Sequence, residues 1–175
     1  TRNQGPTPLE LALRGEEDAV EQVLDGVVAP LFDLALHHHG RLAPAEAATV
    51  AALRELAGDL RRGALPHADP LVSVARHFVS ALGNAATPGA GDDSPLSLRL
   101  SKATRMERLA VTVSLAIDAE GDALAFVLGI PPSEAARAVR TGLRGARCDA
   151  TALREEMDQF AAETLLPHGL VERAL

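Results

Sequence analysis

Aromatic side chains are nearly missing from this 175-residue chain, which has four Phe, no Trp and no Tyr. With 47% of residues apolar, Ala, Leu and Val must fill the interior, a composition that favours packed helices over sheets. The single cysteine, Cys148, excludes an internal disulfide, and no Cys/His ladder carries zinc spacing. No apolar run approaches the roughly 20 residues that span a bilayer, and the N-terminus lacks a signal-like pattern. A cytoplasmic location without membrane contact is expected. Net positive charge is lacking too: the formal total is −7, which argues against broad, non-specific binding to nucleic acid. That charge is unevenly laid out. Leu128 to Arg147 holds four Arg against one Glu, so this stretch carries +3 and the remainder −10.

Catalytic constellations are absent as well. No Ser-His-Asp order, phosphate loop or carboxylate pair stands out, so no catalytic residue, enzyme activity or cofactor is expected. His37, His38 and His39 invite a metal, but consecutive helical residues point about 100° apart and cannot share one ion. They fit a helix C-terminus, where the dipole favours them, and no metal ligand is assigned. Glu16, Glu17 and Asp18 suit the opposite end of a helix. Glu155, Glu156 and Asp158 suit a wet helical face. Basic neighbours give Cys148 a route to a lowered pKa, although an inert surface thiol is the simpler reading.

What is present is helical rhythm and punctuation. Val20, Val23, Leu24, Val27 and Val28 recur at three and four, and Pro30 should kink or restart their helix. A second helix is expected from about Pro44. A third follows Asp69, a capping residue placed before Pro70. The Gly-, Pro-, Asn- and Asp-rich stretch Gly83–Ser97 reads as a flexible linker. Beyond it the spacing predicts a helix to about Asp118, closed by Gly121, and a short helix stopped by Gly129. A helix carrying "PSEAARAVRTGLRGAR" comes next, capped by Ser133 or the residues just before it. A last amphipathic helix ends before Pro167. The expected organisation is all-α, with modules at 1–82 and 98–148, a linker at 83–97 and a helical extension at 149–175.

The short helix, the Leu128-Gly129-Ile130 turn and the arginine-bearing helix have helix-turn-helix grammar. The segment "ERLAVTVSLAIDAEGDALAFVLGIPPSEAARAVRTGLRGAR" resembles region 4 of sigma-70-type factors, especially the extracytoplasmic-function group. "ALRGEEDAVEQVLDGVVAPLFDLALHHHG" and "VARHFVSAL" resemble region 2 of the same group. The resemblance implies a transcription regulator whose partners are RNA polymerase core and promoter DNA, with an anti-sigma or other protein as a further partner. On that reading Ser133, Arg137, Arg140, Thr141, Arg144 and Arg147 face DNA.

The chain also departs from the family. "AEAATVAALREL" carries Ala, Thr and Val where an acidic-plus-Gln cluster is usual, and His77 stands where Asn is usual. These departures leave an alternative, a degenerate sigma-like protein that has lost promoter melting. Such a protein would bind another protein, or itself, through Phe126, Met157 and Phe160. Phe126 could equally be buried by a slight rotation of its helix. The final helix could also cover the arginine-bearing one as a built-in mask.

Overall fold

The computed structural model describes residues 5–83 and 95–175. Every regular element among them is an α-helix. Helix α1, Pro8–Ala12, is closed at its start by a reciprocal capping box. The Thr7 hydroxyl accepts from the Glu10 N–H at 3.2 Å, and the Glu10 carboxylate accepts from the Thr7 N–H at 2.7 Å. Helix α2, Glu17–His39, is the central element, with Leu24, Leu31, Phe32 and Leu34 almost fully buried. It runs through Pro30 instead of restarting there. The carbonyl that Pro30 leaves unpaired belongs to Gly26, which is exposed, so water can satisfy it.

Helix α3, Leu42–Arg61, begins two residues ahead of Pro44. Helix α4, Pro70–Leu82, starts where its signals place it, with the Asp69 carboxylate accepting from the Leu71 N–H at 2.8 Å. Of the expected linker, residues 84–94 lie outside the described residues. Residues 95–97 belong to a helix, α5, Pro95–Arg99. Helix α6, Arg105–Ala116, opens with a second capping box, between Thr104 and Glu107. Gly121 begins α7, Gly121–Leu128, instead of closing α6, and the backbone reverses at Asp118 with φ 55°. Helix α8 is Pro132–Ala146 and α9 is Ala150–Ala162, which stops short of the expected end. A further turn of helix, α10, Leu170–Ala174, had no signal of its own in the sequence.

One hydrophobic core gathers side chains from α2, α3 and α4 together with α6, α7, α8 and α10. Helices on both sides of residues 84–94 therefore share an interior. A smaller cluster holds Leu96 of α5 and Leu100 just past it against Leu153 and Met157 of α9, with Val111, Leu115 and Ala146 beside them. Three of the four phenylalanines stand against histidine rings. His37 packs on Phe160, His38 and His39 stand edge-on to Phe78, and His67 lies against Phe126. Packing thus accounts for the histidine run. Among the described residues no three His, Cys, Asp or Glu gather as a metal site. No helix among them is long and apolar enough to cross a membrane.

Candidate functional site

Helix α8 is built to be held on one side and offered on the other. Ala135, Ala138, Gly142 and Ala146 are buried, with Val139 and Leu143 half-buried beside them. Small residues let α8 approach α6 closely. A Cβ added to Gly142 would sit 2.8 Å from Cγ2 of Val111 and 3.2 Å from the Glu107 carbonyl oxygen. Any side chain there pushes α8 outward.

Ser133, Arg137, Arg140, Thr141 and Arg144 are all exposed on the opposite side. At about 100° per residue they fall within an arc of roughly 100°. Arg147 is exposed too, but it stands past the helix as its C-cap, in the left-handed region at φ 53°. Ser133 lies inside the first turn, and no side chain caps α8; the capping position is held by Pro131. Among the described residues none of the four arginines pairs with a carboxylate or carbonyl, although Arg61, Arg62, Arg99, Arg154 and Arg173 all do. Holding four guanidiniums unneutralised along one face keeps a local positive field on an acidic chain.

The turn ahead of α8 is fixed twice. Gly129 adopts φ 69°, and its N–H donates to the Ala125 and Phe126 carbonyls that end α7. From α4, Arg76 lays its guanidinium over the same glycine and donates from Nη1 to the Val127 carbonyl at 3.2 Å. A Cβ on Gly129 would meet that Nη1 at 2.5 Å. Glycine is required here by the backbone conformation, and its missing side chain leaves room for the arginine tip laid over it.

Arg137 and Thr141 form one wall of a groove of about 220 Å³ whose other wall is the start of α6, Thr104 to Glu107. Met106, part-exposed at 38%, also borders a second hollow between α4, α6 and the end of α7. Arg76 and Arg105 line that hollow. Met106 borders both spaces, but Glu107 and Glu134 also line the groove beside α8, so acidic groups stand between the α8 arginines and the second hollow. Neither Arg76 nor Arg105 announces this placement in sequence. Arg105 reads as an ordinary first-turn residue after a cap, and Arg76 is distant from α8 along the chain.

The three residues suggested for a protein partner are placed differently. Met157 is only 2% exposed and packs within the smaller cluster. That burial removes it from any open apolar patch, because Leu96 and Leu100 already occupy the face it presents. Phe126 and Phe160 are half-buried, each against a histidine ring and the main core. Helix α9 packs chiefly on α5, with fewer contacts to α2 and α6. The arginine face of α8 stays uncovered, so α9 does not mask it.

Burial raises the Cys148 thiol pKa above its ordinary value, outweighing the nearby Arg99 charge. The basic neighbours therefore do not activate it. His37 is buried and neutral, its pKa lowered to about 4 by desolvation in spite of the Asp158 charge. No family model matches this chain, and neither a curated protein nor a solved structure is found to resemble it.

Proposed function

We propose that this protein is a DNA-binding transcription regulator that reads duplex DNA with the outer face of α8. The observation that carries this reading is the set of exposed, unpaired arginines on the second helix of a helix-turn-helix, with Ser133 and Thr141 among them. A helix so presented fits the major groove, where arginines bond guanine edges or flanking phosphates. The finer reading is an extracytoplasmic-function sigma factor-like regulator, with a region 2-like module at 1–82 and a region 4-like module at 98–148. It would work with RNA polymerase core at a promoter, under an anti-sigma or other protein. Ala135, Ala136 and Ala138 offer no hydrogen bonds to bases, and one short helix makes few contacts. Affinity for DNA by the protein alone is therefore weak.

Selection from a random-sequence duplex library, followed by anisotropy on the enriched DNA, tests the coarser claim. The variant Arg137→Ala/Arg140→Ala/Arg144→Ala should lose at least about tenfold in affinity and show a flatter salt dependence. Equal binding by both proteins at moderate salt would sink the proposal. Polymerase-dependent initiation on the enriched duplex tests the finer claim. Its failure leaves a DNA-binding regulator outside the sigma class. The competing reading, a protein-binding or self-associating regulator, draws little support from an interior Met157 and half-buried Phe126 and Phe160.

A further inference from the structure

The hollow between α4, α6 and the end of α7 has a composition that the reading of DNA does not use. Its volume is about 540 Å³, within the ~300–1,000 Å³ typical of small-molecule sites. The apolar lining comes from Val79, Leu109 and Leu128, whose side chains are otherwise buried. Ser80 stands exposed at the rim. Two guanidiniums border the space, and no carboxylate does. Arg76 donates from Nη1 to the Val127 carbonyl, and Arg105 donates from Nη2 to the Gly83 and Leu82 carbonyls.

Both arginines are thus anchored by neutral oxygens that leave their charge uncompensated. Among the described residues, Nε and Nη2 of Arg76 and Nε and Nη1 of Arg105 have no partner. Anchored guanidiniums lose less side-chain freedom when they take a ligand; a carboxylate suits the free Nε–Nη2 fork of Arg76, with Arg105 adding a single donor and its charge. An apolar lining next to two unanswered cations is matched by a molecule with one anionic end and a compact apolar body.

We infer that this hollow is a binding site for a small organic carboxylate with an aromatic or branched apolar body, held by Arg76 and Arg105. The site is separate from the arginine face of α8 and does not depend on DNA binding.

Fluorescence titration of the full chain with 2-naphthoate tests it, because a protein without Trp or Tyr leaves the probe's emission unobscured. Saturable one-to-one binding is expected, at least about tenfold tighter than for the neutral 2-naphthamide, since charge-assisted bonds are the stronger ones. Arg76→Gln/Arg105→Gln should bring naphthoate down to the level of the amide. Arg76 also holds the α7–α8 turn, so a second variant leaves the arginines intact. Ser80→Phe fills the space from an exposed position and should abolish saturable binding with the thermal midpoint unchanged. The α8 variant Arg137→Ala/Arg140→Ala/Arg144→Ala should bind naphthoate like the wild type. Equal binding of acid and amide, undiminished binding by a folded Ser80→Phe, or loss of binding in the α8 variant would each overturn the assignment.

Discussion

Two groups of arginines differ, and the contrast separates what holds the fold from what the fold presents. Arg61 reaches Glu17 of α2 at 2.8 Å, Arg99 reaches Glu156 of α9 at 2.6 Å, and Arg173 reaches Glu46 of α3 at 3.2 Å. Each of these pairs joins residues distant in sequence. Deeper in, Asp59 accepts from both Arg62 and His77, each at 2.5 Å, tying α3 to α4. Along α8 and at its C-cap, by contrast, four arginines stand with no answering group among the described residues. An acidic chain has carboxylates enough to neutralise them, so leaving them open is a property of where the fold puts its acids. Charge that stitches is spent inside the molecule, and charge on α8 remains available to a partner.

Acid should bring out the contrast most strongly. His37 has a folded pKa near 4 against about 6.5 when unfolded. The unfolded chain therefore binds the extra proton first, and stability falls as pH drops from about 6.5 toward 4, by up to about 3 kcal/mol. Asp33, whose pKa is raised by burial and by the Asp158 charge, works in the opposite direction and offsets part of that loss. Glu17 and Glu156 have pKa values lowered by bonds to Arg61 and Arg99. Their contribution is present above about 4.5 and disappears as pH falls through their folded values. Chemical denaturation across pH 4–7 should show the early loss in the wild type and remove it in His37→Phe. A wild-type profile that stays flat to pH 4 would break the account of His37.

A smaller effect is expected at the deepest ion pair. Asp59→Ala leaves His77 and Arg62 without their acceptor at a side chain only 10% exposed. The cost should be about 2 kcal/mol by urea unfolding. The smallest effect falls on the unpaired face. Arg137→Ala/Arg140→Ala/Arg144→Ala should change stability by less than about 0.5 kcal/mol. A large destabilisation there would mean that the α8 arginines hold the fold after all, and the two groups would merge into one.

Much of the local structure is legible in sequence because its causes are local. Asp69 before Pro70 marks the start of α4, and Gly129 marks the end of α7 by its positive φ. The buried alanines and exposed arginines of α8 follow from a spacing of three and four. Causes that lie far apart along the chain are not legible in this way. Of the kink or restart expected at Pro30, the restart ignored the exposed glycine one turn earlier. Leu96 looked like a linker residue, because the partners that bury it, Leu153 and Met157, come more than fifty positions later. Helix α10 has only five residues, too few to show a period, and it forms because Leu170, Val171 and Ala174 find the main core. The same limit hid the hollow, since Arg76 and Arg105 meet there only after α4 and α6 have packed.

The seat of Arg76 on Gly129 makes the evolutionary fates of two positions unequal. Gly129 is fixed by its turn, and its missing side chain leaves room for a guanidinium from another helix. The positive φ strains any other residue at 129 whatever stands at 76, whereas a guanidinium tip can swing aside. Sequences related to this one should therefore keep glycine at 129 while position 76 is free to change.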